Sequence, residues 1–288
     1  RPDVIDTAAV LCHTPAAALG AALARALGDA AAALAERHAA TPTVARTLLQ
    51  PALPVPFGWK AAVWLSLVAR GYSGFRRAAL DACVLQLGGP AGTLSAYGAK
   101  GVAVAAALSA ELSLPAAPMT WHSARDGFAR LGGEGAILAG AAAKIARDVS
   151  LLMQPEIGEA AEPARAGRGG SSSMPHKRNP ALSMLALEAA QRAPGLAATL
   201  LAQLAPEHER GLGQWQGQWF TLRELFMAAS SALAAMAEVL EGLELDTDAM
   251  RANVERLRGK LDAGAADGYG AAAAMIEGVL ATWREKGT

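Results

Sequence analysis

The chain has 288 residues, of which 52% are hydrophobic and only 5% aromatic, enough for one large or two modest cores. Lys plus Arg and Asp plus Glu both number 26, so the net charge is zero, which excludes a general nucleic-acid or membrane-surface role while leaving room for local basic clusters. Cys12 and Cys83 are the two cysteines, too few for a disulfide framework, and they point to a reducing cytoplasm.

Alanine is abundant and alternating patterns are scarce, so the expected class is all-α, with small residues letting long helices approach closely. No signal peptide is read, and no uncharged apolar run of membrane-spanning length. The first helix is expected over residues 6–38, where Val10, Leu11, Leu19, Leu23, Leu27 and Leu34 recur at helical spacing. Residues 41–56 carry Pro42, Pro51, Pro54 and Pro56 and read as a loop. Helices follow over 58–87 and 100–112, separated by the breaker Gly88-Gly89-Pro90-Ala91-Gly92. Those glycines follow no strand, so they are not a dinucleotide fingerprint. A helix beginning at Trp121-His122 reaches about residue 153. Another spans 180–205 with a kink at Pro194, and another spans 221–243. Asp246 or Thr247 caps a shorter helix ending near Arg258, and residues 260–288 are weakly patterned. His13, His38, His122, His176 and His208 are dispersed without ligand spacing, so no metal site is expected.

Between two helices lies Gly167 to Pro180, GRGGSSSMPHKRNP. Its glycines and serines cannot hold a helix, and the segment is expected to be mobile. The basic block Met174-Pro175-His176-Lys177-Arg178 then leads to Asn179, a good N-cap, and Pro180, suited to the first helical position. The loop is therefore expected to deliver hydroxyls and cations to a helix N-terminus, which favours anions. A flexible linker is the bland alternative, but linkers do not usually end in such a block.

The run Gly170-Ser171-Ser172-Ser173-Met174-Pro175-His176-Lys177-Arg178-Asn179-Pro180 resembles the signature loop of the fumarase/aspartase superfamily, Gly-Ser-Ser-x-Met-Pro-x-Lys-x-Asn, at every fixed position. The likeness runs from about Asp3 to about Asn253, and flanking stretches resemble the branch that lactonises 3-carboxy-cis,cis-muconate. It implies a long-helix bundle that forms a central helical core on oligomerisation, a homotetramer whose active sites draw on several subunits, and no metal or organic cofactor. A central bundle over 1–245, with the signature loop at 163–180, and a short C-terminal helical remnant over 246–288 are expected. Arg1 stands where the family's Thr-Ser-x-Asp segment has Ser, and the family's N-terminal domain is expected to be missing.

The resemblance also assigns residues. Ser171 matches the catalytic base, and Lys177, the glycine-rich backbone and the helix N-terminus are expected to stabilise its alkoxide. Arg46-Thr47-Leu48-Leu49-Gln50 is similar to the second family region, so Thr47 and Gln50 are expected to bind substrate. Ser172, Met174, Asn179 and Arg210 are further substrate contacts by the same likeness, as is His122, next to Trp121 in this branch. Many relatives carry a His as leaving-group acid where this chain has Leu48. An amine or hydroxide needs that proton, whereas a carboxylate with a pKa of about 4 leaves as an anion. Leu48 therefore favours a cycloisomerase, and the resemblance implies a tricarboxylate substrate; the cysteine usage and zero net charge add a cytoplasmic location without nucleic-acid or membrane partners. Three alternatives stay open: an adenylosuccinate- or argininosuccinate-type lyase, a sulfomuconate cycloisomerase, and a non-catalytic helical oligomer of crystallin type.

Overall fold

In the computed structural model, residues 2–165, 167–261 and 268–285 are described, so Arg1 and Gly264 lie outside the described residues. The all-α expectation holds: eight α-helices dominate, with two small antiparallel ribbons among the described residues. Helix α1 (Pro2–Arg37) starts four residues earlier than periodicity indicates. It is also long and apolar enough to cross a membrane by length and composition, contrary to the reading above. Alanine explains this, since it raises hydropathy while serving as close-packing material in a helical core. Asp6 of α1 is fully buried and ion-paired, which suits a protein core and not a lipid one.

The remaining helices are α2 (Phe57–Ala82), α3 (Gly101–Leu112), α4 (Asp126–Leu152), α5 (Ala181–Ala202), α6 (Gln214–Glu241), α7 (Thr247–Arg258) and α8 (Ala272–Glu285). A 3₁₀ segment, Ser95–Lys100, precedes α3. Helix α4 starts at Asp126, so Trp121 and His122 precede it instead of opening it. Helix α6 starts seven residues before the expected Thr221, which places Trp215 and Trp219 one turn apart with rings 5.0 Å apart. Pro194 stays inside α5. Asp246 caps α7 as expected, accepting from the Asp248 and Ala249 amides. The weakly patterned end contains α8, whose Ala272, Ile276, Leu280 and Trp283 are buried at spacings of four, four and three.

The prolines of residues 41–56 do not make a loop. They sit in a hairpin of β1 (Pro42–Thr47) and β2 (Gln50–Pro56), paired from Pro42 opposite Pro56 to Thr47 opposite Gln50. In a two-stranded ribbon both strands are edges, so a residue without an N–H is tolerated on the outward side. A bulge between Val44 and Arg46 absorbs the irregularity. Leu48 and Leu49 form the turn with φ of 51° and 64°, the left-handed geometry of a two-residue hairpin. Glycine or asparagine usually takes these positions, and a leucine there costs about 1 kcal/mol or more. A second ribbon pairs β3 (Ala160–Ala161) with β4 (Glu244–Leu245).

The chain forms two compact units. The first comprises Arg1–Ala22, Gly71–Gly140 and Ala189–Ser230. Its core sets Phe75 edge-on to Phe226, and Gly132 and Gly135 of α4 leave room for Leu200 and Leu225. His13 lies 5.6 Å from the Phe128 ring and 5.7 Å from that of Phe226, with Nε2 unpartnered among the described residues. Burial pushes its pKa down from 6.5 to about 4. The fold accepts the neutral ring, so His13 supports stability above pH 6.5, and that support is lost as the pH falls towards 4. We expect wild type to lose about 2–3 kcal/mol more than His13→Leu between pH 7.5 and 4.5 in denaturant titrations. Equal losses would show that this ring is not the group that responds.

The second unit comprises Leu23–Arg70, Ala141–Glu188 and Ser231–Thr288. Trp283 anchors α8 there, donating to Asp29 Oδ1 at 2.8 Å beneath the Arg25 guanidinium, with Gly28 flush against its ring. The hairpin base packs Val44 on Val254 and Leu257 of α7. Fully buried Glu159 ties these parts together, accepting from Thr43, twice from Arg46, and from Asn253. Burial pushes the Glu159 carboxyl up, but these hydrogen bonds and the Arg46 charge outweigh it and hold the pKa below the usual range.

Candidate active site

The signature loop leads from β3 to α5 in the second unit. Gly169, at φ 73°, closes it: its carbonyl accepts both the backbone amide (2.7 Å) and the side-chain amide (3.0 Å) of Asn179. A Cβ on Gly169 would stand 2.9 Å from the Asn179 carbonyl oxygen, so the close approach requires glycine. Asn179 therefore ties the loop together and does not cap the helix. The cap of α5 is buried Glu162, whose carboxylate accepts from the Leu182 (2.9 Å) and Ser183 (2.7 Å) amides. This corrects the expected anion site: the N–H groups at the start of α5 already hold an anion of the chain itself.

The cations of the loop divide by role. Arg168 makes a two-pronged pair with Glu238, joined there by Arg165. Arg178 holds Glu244 and the Glu162 carbonyl. Lys177 makes no ion pair among the described residues and is exposed. It lines a cavity of about 380 Å³ together with Arg165, Arg168, Gly170 and Asn179. Ser171 is the next residue after Gly170 but is not part of that lining. Its Oγ accepts from the Met174 amide at 3.2 Å in a tight turn. Ser172 and Met174 are exposed.

Thr47 and Gln50 face each other at the tip of the hairpin, and both are exposed. Leu48 between them is 97% exposed. Neither Thr47 nor Gln50 lines the cavity of the signature loop.

His122 and Arg210 belong to the first unit, and there the structure does bring them together. Arg210 Nη2 lies 3.3 Å from His122 Nε2 and donates to the Gly89 carbonyl at 3.0 Å. Buried His122 presents Nε2 to Asp3 Oδ1 at 2.8 Å and Nδ1 to Asp6 Oδ2 at 3.3 Å. Asp3 also accepts from the Gly88 and Gly89 amides, so the glycine turn is clasped around it. Asp6 in turn forms a two-pronged pair with Arg125, both contacts at 3.1 Å, and Arg125 Nε donates to Gln218 at 2.7 Å. Arg210 Nε, Gln218 Nε2 and Trp219 Nε1 are buried donors without partners among the described residues. Such donors are rare in folded proteins and mark groups waiting for a ligand or water.

Asp6, Arg125 and Gln218 were not among the residues expected at the site. Asp6 and Arg125 are 119 positions apart, so no local pattern joins them. A buried-charge signal existed only in Asp6 falling on the apolar stripe of a helix. Glu162 was missed as a cap because it comes 20 residues before the amide it binds.

Comparison with known proteins places the chain in a family. The lyase family model matches residues 1–195. A 3-carboxy-cis,cis-muconate cycloisomerase of Bradyrhizobium diazoefficiens is 50% identical over 258 residues, covering 89% of this chain and 57% of the relative. A nitrosuccinate lyase of Streptomyces davaonensis is 41% identical over 268 residues, covering 90% of this chain and 56% of the relative. The chain thus spans a little over half the length of the curated relatives it matches. The crystal structure of the 3-carboxy-cis,cis-muconate lactonizing enzyme of Pseudomonas putida superimposes with a TM-score of 0.89 at 30% identity, over all of this chain and 76% of that one. With its signature loop intact, its helices in the same arrangement and the family model covering two thirds of its length, this chain belongs to the lyase family of the fumarase/aspartase superfamily.

Proposed function

We propose that the protein containing this chain converts 3-carboxy-cis,cis-muconate to 4-carboxymuconolactone. The observation that carries this reading is Leu48 at the exposed hairpin tip, the position where the superfamily resemblance implies an acid for the leaving group in many members. A reaction whose adding or leaving group is a carboxylate needs no such acid, and an apolar tip helps to exclude water during ring closure.

In this reading a substrate carboxylate oxygen attacks the β-carbon, and a C–O bond forms. The π electrons move towards the α-carbon and its carboxylate, giving an aci-carboxylate. Ser171 gives its hydroxyl proton to the α-carbon, and water restores it. In reverse, the Ser171 alkoxide takes that proton. The Met174 amide already donates to Ser171 Oγ and supports the alkoxide, and Lys177 supplies the loop's uncommitted charge. Asn179 shapes the loop, and Ser172 and Met174 line it. Thr47, Gln50 and Arg210 hold carboxylates. His122 acts through Arg210, since both its nitrogens face carboxylates of the chain. The same reading includes a homotetramer in which hairpin tip, signature loop and Arg210 segment come from different copies, and a cytoplasmic location.

Leu48 also suits a second reading, elimination of a stable anion from a substituted succinate, favoured by the likeness to nitrosuccinate lyase. Proton balance separates the two. Lactonisation turns a trianion into a dianion and takes up one proton. Elimination of an anion releases one. We expect the full-length protein to remove the diene absorbance of 3-carboxy-cis,cis-muconate while the weakly buffered solution turns alkaline, one proton per diene. An unchanged diene, with acid released from nitrosuccinate, would replace the first reading by the second.

A further inference from the structure

Alongside the hairpin, from Val55 to the turn residue Leu49 in the second unit, lies a cavity of about 410 Å³ that neither Thr47 nor Gln50 lines. No signature-loop residue lines it. Its walls include Trp59, Val63 and Trp64 from α2 and Leu151 from α4. Its charged groups are Arg46, Lys60, Lys144 and Asp148, and exposed Gln154 adds an uncharged amide. Three of these four are spent. Arg46 is locked to Glu159 at 2.8 Å and 3.0 Å. Asp148 accepts from Trp64 Nε1 at 2.6 Å and from Lys144 at 2.6 Å. Of the charged groups, Lys60 alone makes neither hydrogen bond nor ion pair among the described residues, although it is only partly exposed.

The acids near Lys60 cannot satisfy it. Glu159 has two oxygens and already takes four side-chain hydrogen bonds, from Thr43, Arg46 and Asn253. Asp148 is held from two sides. Burial pushes the Lys60 pKa down and Arg46 and Lys144 push it further, against the pull of Glu159 and Asp148. An ammonium drawn into a pocket without a counter-ion destabilises the fold unless something else uses it.

We propose that this cavity is a binding site for a small aromatic monocarboxylate, with Lys60 as its counter-ion and the Trp59 and Trp64 side of the cavity as the seat of its ring. A pocket of this size, mostly apolar with a few polar groups, fits a small organic ligand. A single free ammonium matches one carboxylate. A phosphate calls for several converging donors, and here the Arg46 donors are taken. The half-buried Trp59 indole supplies flat apolar surface for a ring, backed by Trp64, which is 1% exposed.

The test uses the full-length protein and sodium benzoate, read by calorimetry and by thermal melting, with acetate as the control for charge alone. Benzoate is expected to bind one per chain through this cavity and to raise Tm, and acetate to bind at least tenfold more weakly. Lys60→Met should weaken benzoate at least tenfold, while Lys60→Arg keeps it within a few-fold. Lys60→Met should also melt no lower than wild type without ligand, because it removes an unpaired half-buried charge. The proposal is overturned if wild type takes up no benzoate at millimolar concentration, if Lys60→Met binds it as wild type does, or if Lys60→Met alone melts well below wild type, which marks a structural lysine. None of these readouts depends on turnover of the muconate, so the outcome stands whichever reaction the protein catalyses.

Discussion

Replacing Ser171 by Ala is expected to lower kcat for 3-carboxy-cis,cis-muconate by about 10³-fold, with KM changed only a few-fold. The magnitude is that of a positioned group that moves a proton in the transition state. KM should hold because the carboxylates are assigned to other groups, and the fold should hold because Ser171 Oγ makes one hydrogen bond among the described residues, to the Met174 amide in a partly exposed turn. The measurement is the loss of diene absorbance, with circular dichroism as the fold check. A variant that turns over at the wild-type rate would remove Ser171 as the proton carrier while leaving the reaction in place.

The second large effect is on stability. Asp6→Asn is expected to cost about 3–5 kcal/mol, since it leaves Arg125 in the interior with its charge uncompensated. Both side chains are fully buried, and the pair is two-pronged at 3.1 Å. Arg125→Met should cost a similar amount by leaving buried Asp6 with only His122 beside it. The two costs should not add: Asp6→Leu combined with Arg125→Met removes both charges and should recover much of the loss. Denaturant midpoints of the two single variants and the double supply the coupling. Strict additivity would show that the pair is not the unit of stability proposed. His122 Nδ1 also faces Asp6, so the double variant should disturb Arg210 and raise KM even where stability returns.

These two effects sit at opposite ends of what could be read from the sequence. Ser171 was legible because its meaning lies in eleven consecutive residues. The Asp6–Arg125 pair was not, because a charged residue on an apolar stripe shows no partner until the chain is folded. The hairpin was misread as a loop for a related reason. Four prolines signal broken structure locally, yet pairing Thr43 with Val55 and burying Val44 under α7 stabilises an extended ribbon that local rules disfavour. The tight turn at Leu48 and Leu49 had no Asn-Gly signal, since its left-handed backbone is imposed by the strands on either side. Helix α8 is a different case: its buried residues recur at helical spacing, but the glycines before it weaken the local helical pattern.

By itself the sequence determined the helical class, most helix bodies and the signature loop, because alanine content, apolar periodicity and a contiguous motif are local properties of the chain. Only the tertiary structure decided what the charged residues do. It gave the start of α5 to Glu162, committed Arg168 and Arg178 to Glu238 and Glu244, and left Lys177 and Lys60 uncommitted. The reason is that a charge takes its role from whatever partner lies within about 3–4 Å, and residues far apart in the chain reach that distance only in the folded protein.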